Sequence, residues 1–253
     1  KCFRGLLESP SGLILLTGPA GSGKGTTWYA ALSELNCEQI NICTVEDPVR
    51  NSIAGVNQFE VGSEAEGDIP TMLRGVLRQD PDIILVSEIH EQKIAKLAIK
   101  AALSGSLILS SLATPDATSA VTRLVDLGVP SYYVSDALVG VLAQRLVRKL
   151  CPHCKTGYKP SKSIRKVVAA LGETVDTYYH ATGCTSCRST GFSGRIALHG
   201  LFVLDDALRE LIYDGTRSSV LRAAAVQQGL ISLARDGIEK VRAGIISIEE
   251  VLR

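Results

Sequence analysis

The sequence predicts an α/β fold, a mostly parallel sheet with helices on both faces, followed by a mainly helical, zinc-stapled segment. Three observations predict it. Short apolar runs, such as Leu13-Ile14-Leu15-Leu16-Thr17 and Asp82-Ile83-Ile84-Leu85-Val86-Ser87, alternate with helical patterns. Runs without polar alternation are strands buried on both faces, as in parallel sheets. A glycine-rich stretch, Gly18-Pro19-Ala20-Gly21-Ser22-Gly23-Lys24-Gly25-Thr26, directly follows the first run. Two Cys-x-x-Cys pairs, Cys151/Cys154 and Cys184/Cys187, fall where the strand signals fade.

The elements follow in order. Leu13 to Thr17 is a strand and Thr26 to Leu35 a helix. Gln39 to Val45 is a second strand, broken by Pro48, and Ile53 to Val61 reads as a short hairpin. Thr71 to Arg78 has helical spacing, and Asp82 to Ser87 is a third buried strand. Ile94, Leu97, Ala98 and Ala101 share one helical face, with Lys93, Lys96 and Lys100 mostly outside it. Gly105 ends that helix and Leu107 to Ser111 is a further strand. Tyr132 to Leu150 reads as a helix, Lys155 to Lys166 as a loop and Ser161 to Leu171 as a helix between the cysteine pairs. Thr182 to Gly194 is turn-rich, and Asp205 to Arg253 is helical with glycines 215, 229, 237 and 244 as punctuation. The expected division is a nucleotide domain over 1–130 and a helical domain over 131–253, with the cysteine element at about 150–195.

Composition sets the bounds. At 253 residues, the chain holds one large domain or two modest ones. A net charge of +1 gives no basis for a nucleic-acid-coating surface, so no nucleic-acid partner is expected. No apolar run approaches the ~18 residues that span a bilayer, and no signal peptide is visible. The chain starts at Lys1, close to its first strand, and reads as part of something longer. Seven cysteines, an odd number that includes two such pairs, point to a reducing compartment and a metal, not to a disulfide framework.

The glycine-rich stretch nearly spells the phosphate-loop pattern G-x-x-x-x-G-K-[ST]. Gly18, Gly21 and Gly23 let backbone N–H groups converge on an anion at a helix N-terminus. Lys24 supplies a point charge for the β- and γ-phosphates of ATP, and Thr26 lies just beyond. The position after the lysine calls for a Mg²⁺-binding hydroxyl and holds Gly25. A bare glycine turn is the other reading; a strand running in and a helix running out favour the phosphate loop. The run Asp82 to Ser87 ends at Glu88, at the sheet edge where ligands sit in open parallel sheets. There Glu88 would hold Mg²⁺ through water or polarise the attacking water. Glu46, at the end of strand two, reaches the same edge if that strand is parallel, and suits a general base; a capped turn before Pro48 explains it equally.

The cysteine pairs are separated by 29 residues, wider than usual, with room for the inserted helix. Cys151, Cys154, Cys184 and Cys187 make a closed tetrahedral thiolate site for Zn²⁺, structural in role. Four thiolates complete it, so His153 and His180 are bystanders. Zinc in small knuckles contributes roughly 10–16 kcal/mol in peptides, enough to fold a loop-rich segment.

The residues then resemble a known group, the secretion-ATPase superfamily, specifically type II secretion ATPases and type IV pilus assembly ATPases. The matching stretches are Gly12 to Pro19, Thr44 to Val49, Leu73 to Asp82, Ala143 to Cys154, Gly191 to Arg195 and Asp236 to Arg253. The resemblance implies a RecA-like core, with Glu46 as the catalytic glutamate and Glu88 as the Walker B acid. It makes Arg74 and Arg78 candidates for sensing nucleotide. It also implies a homohexameric ring on the cytoplasmic face of the bacterial inner membrane. There it would work with the membrane platform protein, turning ATP hydrolysis into assembly of pilin-like subunits. N-terminal domains of such proteins are missing from this chain.

Four departures stand out. Gly25 replaces the loop hydroxyl; Ser87-Glu88-Ile89-His90-Glu91 stands for Gly-Glu-Ile-Arg-Asp; Ser106 and Ala113 stand for two histidines; and Arg50 stands for an acid. They gather as changes around one nucleotide site, so the alternative expectation is a weakened or inactive paralogue with a structural or regulatory role. A DNA-uptake or conjugation motor is the third reading, opposed by the near-neutral charge and the four cysteines.

Overall fold

The computed structural model describes residues 2–62 and 68–252; Arg253, the last residue of the helical pattern, lies outside them. The elements run α1 (Cys2–Leu7), β1 (Gly12–Thr17), α2 (Lys24–Leu35), β2 (Ile42–Glu46), β3 (Asn57–Glu60), α3 (Ile69–Val76), β4 (Ile83–Val86), α4 (Gln92–Leu103), β5 (Leu107–Leu112), α5 (Ser119–Asp126) and α6 (Ser131–Ala137). They continue with β6 (Leu138–Leu150), β7 (Thr156–Tyr158), α7 (Lys162–Ala170), β8 (Tyr178–His180), β9 (Phe192–Val203), α8 (Asp206–Tyr213), α9 (Ser218–Gln227), α10 (Leu233–Arg242) and α11 (Ile248–Leu252). Short 3₁₀ turns occupy Leu77–Gln79 and Thr185–Cys187.

Seven strands form one sheet in the order β3-β2-β4-β5-β1-β6-β9. The pairs from β3 through β1, and β1 with β6, are parallel. The predicted α/β architecture is therefore present. Every residue of β1, β2, β4 and β5 is buried, as unalternated apolar runs require. Ile14 and Leu16 of β1 pack with Trp28 and Leu32 of α2, with Leu85 and with Leu109. Each such side chain contributes about 1.5–3 kcal/mol of burial. Trp28 also donates from Nε1 to Ser111 Oγ at 3.1 Å, which ties α2 to β5.

Parallel pairing gives the sheet two unlike edges. One carries the segments that follow the strands, Gly18 after β1, Glu88 after β4 and Ala113 after β5, together with Glu46 at the end of β2. The other carries the residues that precede them: Gly12 N donates to Ser106 O at 3.2 Å, and Leu107 N to Asp82 O at 2.8 Å.

The chain divides into two compact units. The first is Lys1–Ala143 with Leu201–Leu230, and the second is Gln144–Gly200 with Ile231–Arg253. This differs from the expected 1–130 and 131–253. The break falls inside β6, and α8 and α9 return to the first unit, where Arg209 Nη1 donates to Ser135 O and Arg222 pairs with Asp116. The second unit has its own core of Val147, Val168, Tyr178, Leu198, Ile238, Val241 and Ile246.

Local expectations need correction at four places. Tyr132 to Leu150 is not one helix: α6 ends at Ala137, and thirteen residues of strand follow. Ile53 to Val61 is not a hairpin, because β3 pairs parallel to β2, with Cys43 opposite Asn57 and Glu46 opposite Glu60. Lys155 to Lys166 is not all loop, since β7 pairs antiparallel with β8, Thr156 opposite His180, and Ser161 caps α7 through Ile164 N at 3.4 Å. Gly237 is no punctuation mark: it lies within α10, where a Cβ would stand 2.9 Å from Val251 side-chain carbons.

Candidate functional site

In the first unit, the parallel register brings the phosphate loop, Glu46 and Glu88 to one sheet edge. The loop turns through Gly18, Gly21 and Gly23, at φ 145°, 74° and 88°, values in the left-handed range that favours glycine. Pro19, Ala20 and Ser22 complete the turn, and α2 starts at Lys24. Lys24 Nζ lies along the loop, donating to Gly18 O at 2.8 Å and Pro19 O at 3.2 Å. Thr17 Oγ1, fully buried just before the loop, has no hydrogen-bond partner among the described residues. The loop amides, the positive end of α2 and the lysine together favour a polyanion.

Glu46 is 4% exposed and held on both oxygens. Tyr29 Oη donates to Oε2 at 2.5 Å; Thr44 Oγ1 and Gln58 Nε2 donate to Oε1 at 2.7 and 3.2 Å. The capped-turn alternative for this residue does not match these partners, because the carboxylate is bound by side chains of three separate elements and not by the amides after Pro48. Burial, and then donation to the Glu46 carboxylate, push the Tyr29 phenol above its ordinary range. Glu88, half-buried, is fixed by flanking backbone bonds, Ser87 N to Val45 O at 3.0 Å and Ile89 N to Ser111 O at 2.8 Å.

Tyr29 is the residue that sequence reasoning missed. It lies four residues after Gly25 on α2, hence on the same helical face one turn on. Its oxygen also accepts from Arg50 N at 3.0 Å and Asn51 N at 3.4 Å. It therefore holds the turn after β2 against the helix that leaves the loop. That turn carries Arg50, whose Nη1 stands 4.0 Å from where a Cβ of Gly25 would be. The residues here do not fit a divalent cation held by the loop in the ordinary way. Gly25 offers no side-chain oxygen, and a permanent positive charge sits beside it.

Other expected members are not gathered here. Ser106 precedes β5, at the opposite edge from the loop, about 17 Å away along a six-residue strand. Its hydroxyl donates to Pro81 O at 3.1 Å. The grouping of Ser106 with Gly25 around one site is thereby corrected; only Ala113 follows β5 on the loop side. Arg74 and Arg78 are exposed, and the turn holding Arg78 is bonded through Gln79 O to Asn41 Nδ2 at 3.0 Å, ahead of β2 and away from the loop.

In the second unit, the four Sγ atoms of Cys151, Cys154, Cys184 and Cys187 all lie within 4.8 Å of one another. Three pairs are 3.9, 3.8 and 3.7 Å apart: 151–184, 154–187 and 184–187. A tetrahedron with metal–sulfur bonds of about 2.3 Å has edges of about 3.8 Å, so the donor set fits zinc. A disulfide would need sulfurs about 2.05 Å apart. Backbone N–H groups aim at the sulfurs, from Gly183 to Cys154 at 3.3 Å, and from Cys184 and Gly191 to Cys187 at 3.2 and 3.1 Å. Against the effect of burial, the two donors lower the Cys187 thiol to about 6, while burial pushes Cys154 up to about 11. Gly191 must be glycine: its φ is 75°, and a Cβ would meet that of Ala181 at 2.5 Å.

Comparison with known proteins places this geometry in context. Residues 1–253 match the family described as Type II/IV secretion system protein. The chain is 45% identical over 251 residues to the type II secretion system ATPase E of Vibrio cholerae, covering 99% of this chain and 50% of that protein. It is 41% identical over 252 residues to the type IV pilus assembly ATPase PilB of Thermus thermophilus, covering 99% of this chain and 28% of that one. Among solved structures, the pilus retraction motor PilT with bound ADP is similar with a TM-score of 0.75 at 25% identity, over 100% of this chain and 63% of that one. The ATPase DotB of Legionella pneumophila shares the fold, with a TM-score of 0.73 at 20% identity, over 99% of this chain and 62% of that one. The chain thus spans about half the length, or less, of the curated relatives it matches. No helix among the described residues is long and apolar enough to cross a membrane. The chain belongs to the type II/IV secretion system protein family.

Proposed function

We propose that this chain is the RecA-like, nucleotide-binding region of a motor that couples ATP hydrolysis to assembly of pilin-like subunits in a type II secretion or type IV pilus machine. The observation that carries the proposal is the meeting, at one sheet edge, of the loop ending in Lys24 with a buried glutamate held on both oxygens. Gly18 to Gly23 and Lys24 bind the phosphates. Glu46 takes the proton of the attacking water, oriented by Tyr29, Thr44 and Gln58. Glu88 polarises that water from the neighbouring strand. Arg74 and Arg78, exposed and away from the loop of their own chain, would sense the nucleotide held by a neighbouring subunit of a homohexameric ring. The ring would stand at the cytoplasmic face of the inner membrane, against the platform protein, with no nucleic-acid partner. Zn²⁺ at the four cysteines is structural: Cys151, Cys154, Cys184 and Cys187 would hold it, and it supplies no reactive position.

One observation favours the alternative, a weakened paralogue acting as a nucleotide-binding structural subunit: Arg50 stands beside Gly25 where the loop hydroxyl is missing. Nucleotide binding and steady-state ATP turnover of the full-length protein separate the two. Turnover that depends on Glu46 supports the motor. Tight binding with turnover unchanged by Glu46→Gln supports the structural subunit, and no binding sinks both.

A further inference from the structure

We infer that the Arg50 guanidinium takes the place of a loop-held divalent cation, so that this chain binds nucleoside di- and triphosphates without one. The inference rests on the nucleotide-binding reading above. It is carried by two departures that the fold brings together. Gly25 and Arg50 are far apart in sequence and belong to different elements, the first turn of α2 and the turn after β2. Each alone removes something: Gly25 lacks an oxygen for a cation, and Arg50 adds a positive charge near a cationic loop. Together they make one arrangement, with Nη1 of Arg50 4.0 Å from the position of a Gly25 Cβ.

A neighbouring hydrogen bond holds the Arg50 backbone against α2. Tyr29 Oη accepts from Arg50 N at 3.0 Å, and its own proton goes to Glu46. Gly25 lies one turn, about 5.4 Å, toward the N-terminus of the same helix. The arginine side chain therefore runs from its anchored backbone back along α2 toward the helix end where phosphate oxygens would sit. Among the described residues no carboxylate forms an ion pair with Arg50.

The chemistry follows. A cation bound through a loop hydroxyl sits about 2 Å from that oxygen, within the region the guanidinium reaches. A divalent cation there would meet a fixed like charge and find no protein oxygen at Gly25. A guanidinium keeps its charge at every physiological pH and offers a planar fork of donors that matches two phosphate oxygens. It neutralises phosphate charge without needing a shell of oxygen ligands.

The test is a titration of the full-length protein with a fluorescent ATP analogue, N-methylanthraniloyl-ATP, in excess EDTA and again in excess Mg²⁺. The expected affinities agree within about threefold, and Arg50→Ala weakens binding in EDTA about tenfold or more, as loss of a charge-assisted phosphate contact does. Arg50→Lys, which keeps the charge but not the fork, recovers only part of the affinity lost in Arg50→Ala, and the pair Gly25→Ser with Arg50→Glu binds about tenfold tighter with Mg²⁺ than without. Parent affinity that falls tenfold or more on chelation, with Arg50→Ala indistinguishable from the parent, overturns the inference and leaves nucleotide binding standing. A folded protein that binds in neither buffer overturns the nucleotide reading as well.

Discussion

The phosphate loop and the cysteine cluster each collect ligand groups from separate stretches of chain, yet they differ in what they tolerate. The cluster takes its four sulfurs from two turns, at mutual distances near the edge of a metal tetrahedron. Remove one, and no neighbour supplies an equivalent donor; His153 and His180 are outside the cluster that satisfies the distances. The loop edge has Gly25 where the phosphate-loop pattern calls for a hydroxyl, and the Arg50 guanidinium stands beside it. A polyanion accepts several cationic surroundings, whereas a structural zinc left with three thiolates takes water in the fourth position and loses the bond that ties one turn to the other. Departures from a family pattern are therefore informative at the first site and would be disabling at the second.

The comparison breaks most visibly at the cysteines. Stripping the metal with a strong chelator, or replacing Cys184 with Ser, is expected to unfold the second unit, with a stability loss of several kcal/mol out of the roughly 10 kcal/mol or more that zinc contributes in knuckle peptides. Metal content and the thermal transition of the second unit check it. A metal-free protein that melts like the loaded one would remove the contrast.

At the nucleotide edge the largest effects fall on Lys24 and Glu46. Lys24→Ala is expected to weaken nucleotide binding by about a hundredfold, the loss of a charged donor aimed at phosphate. Glu46→Gln keeps the size of the side chain but puts an NH2 group in place of one accepting oxygen, and it cannot take a proton. Its expected signature is a fall in turnover of about 10²–10³ with nucleotide affinity nearly unchanged. A parallel loss of affinity would make Glu46 a structural acid.

Much of this organisation can be read from the sequence, and the gaps have physical causes. The loop and the cysteine pairs are contiguous signals whose geometry is local, so their residues land where expected. The strands β1, β4 and β5 are legible because apolar runs bounded by turns leave little choice. β6 is not, because Leu138, Val141, Leu142, Leu146 and Val147 satisfy helical spacing as well as a buried strand does. Pairing with β1 on one side, Leu15 opposite Val141 and Leu16 opposite Leu142, and with β9 on the other decides it. The placement of Ser106 at the far edge depends on strand register, which a motif does not contain. The meeting of Gly25 with Arg50 depends on how the turn after β2 lies on α2, and that in turn depends on one phenol.

That phenol gives the smallest and sharpest effect. Tyr29→Phe removes a donor to Glu46 and an acceptor for the Arg50 and Asn51 amides, while leaving the ring in place. A hydrogen bond to a charged group contributes about 1.5–3 kcal/mol and a neutral one about 1 kcal/mol, and partial exposure to water lowers both. The expected loss of stability is about 1–2 kcal/mol, with turnover down about tenfold through a less oriented Glu46. The pH dependence separates this from general loosening. The Tyr29 pKa is raised above the ordinary tyrosine value of 10.0, so the native state holds its proton more tightly than the unfolded chain does. The stability this contributes is fully present below about 10 and is lost as pH rises through the folded value. Phenylalanine cannot titrate, so the variant starts less stable at neutral pH and closes the gap in alkaline buffer. Chemical denaturation at neutral pH and above pH 10 reads the difference. The absence of a gap at either pH would mean that Tyr29 acts through packing alone, and that the position of Glu46 does not depend on its proton.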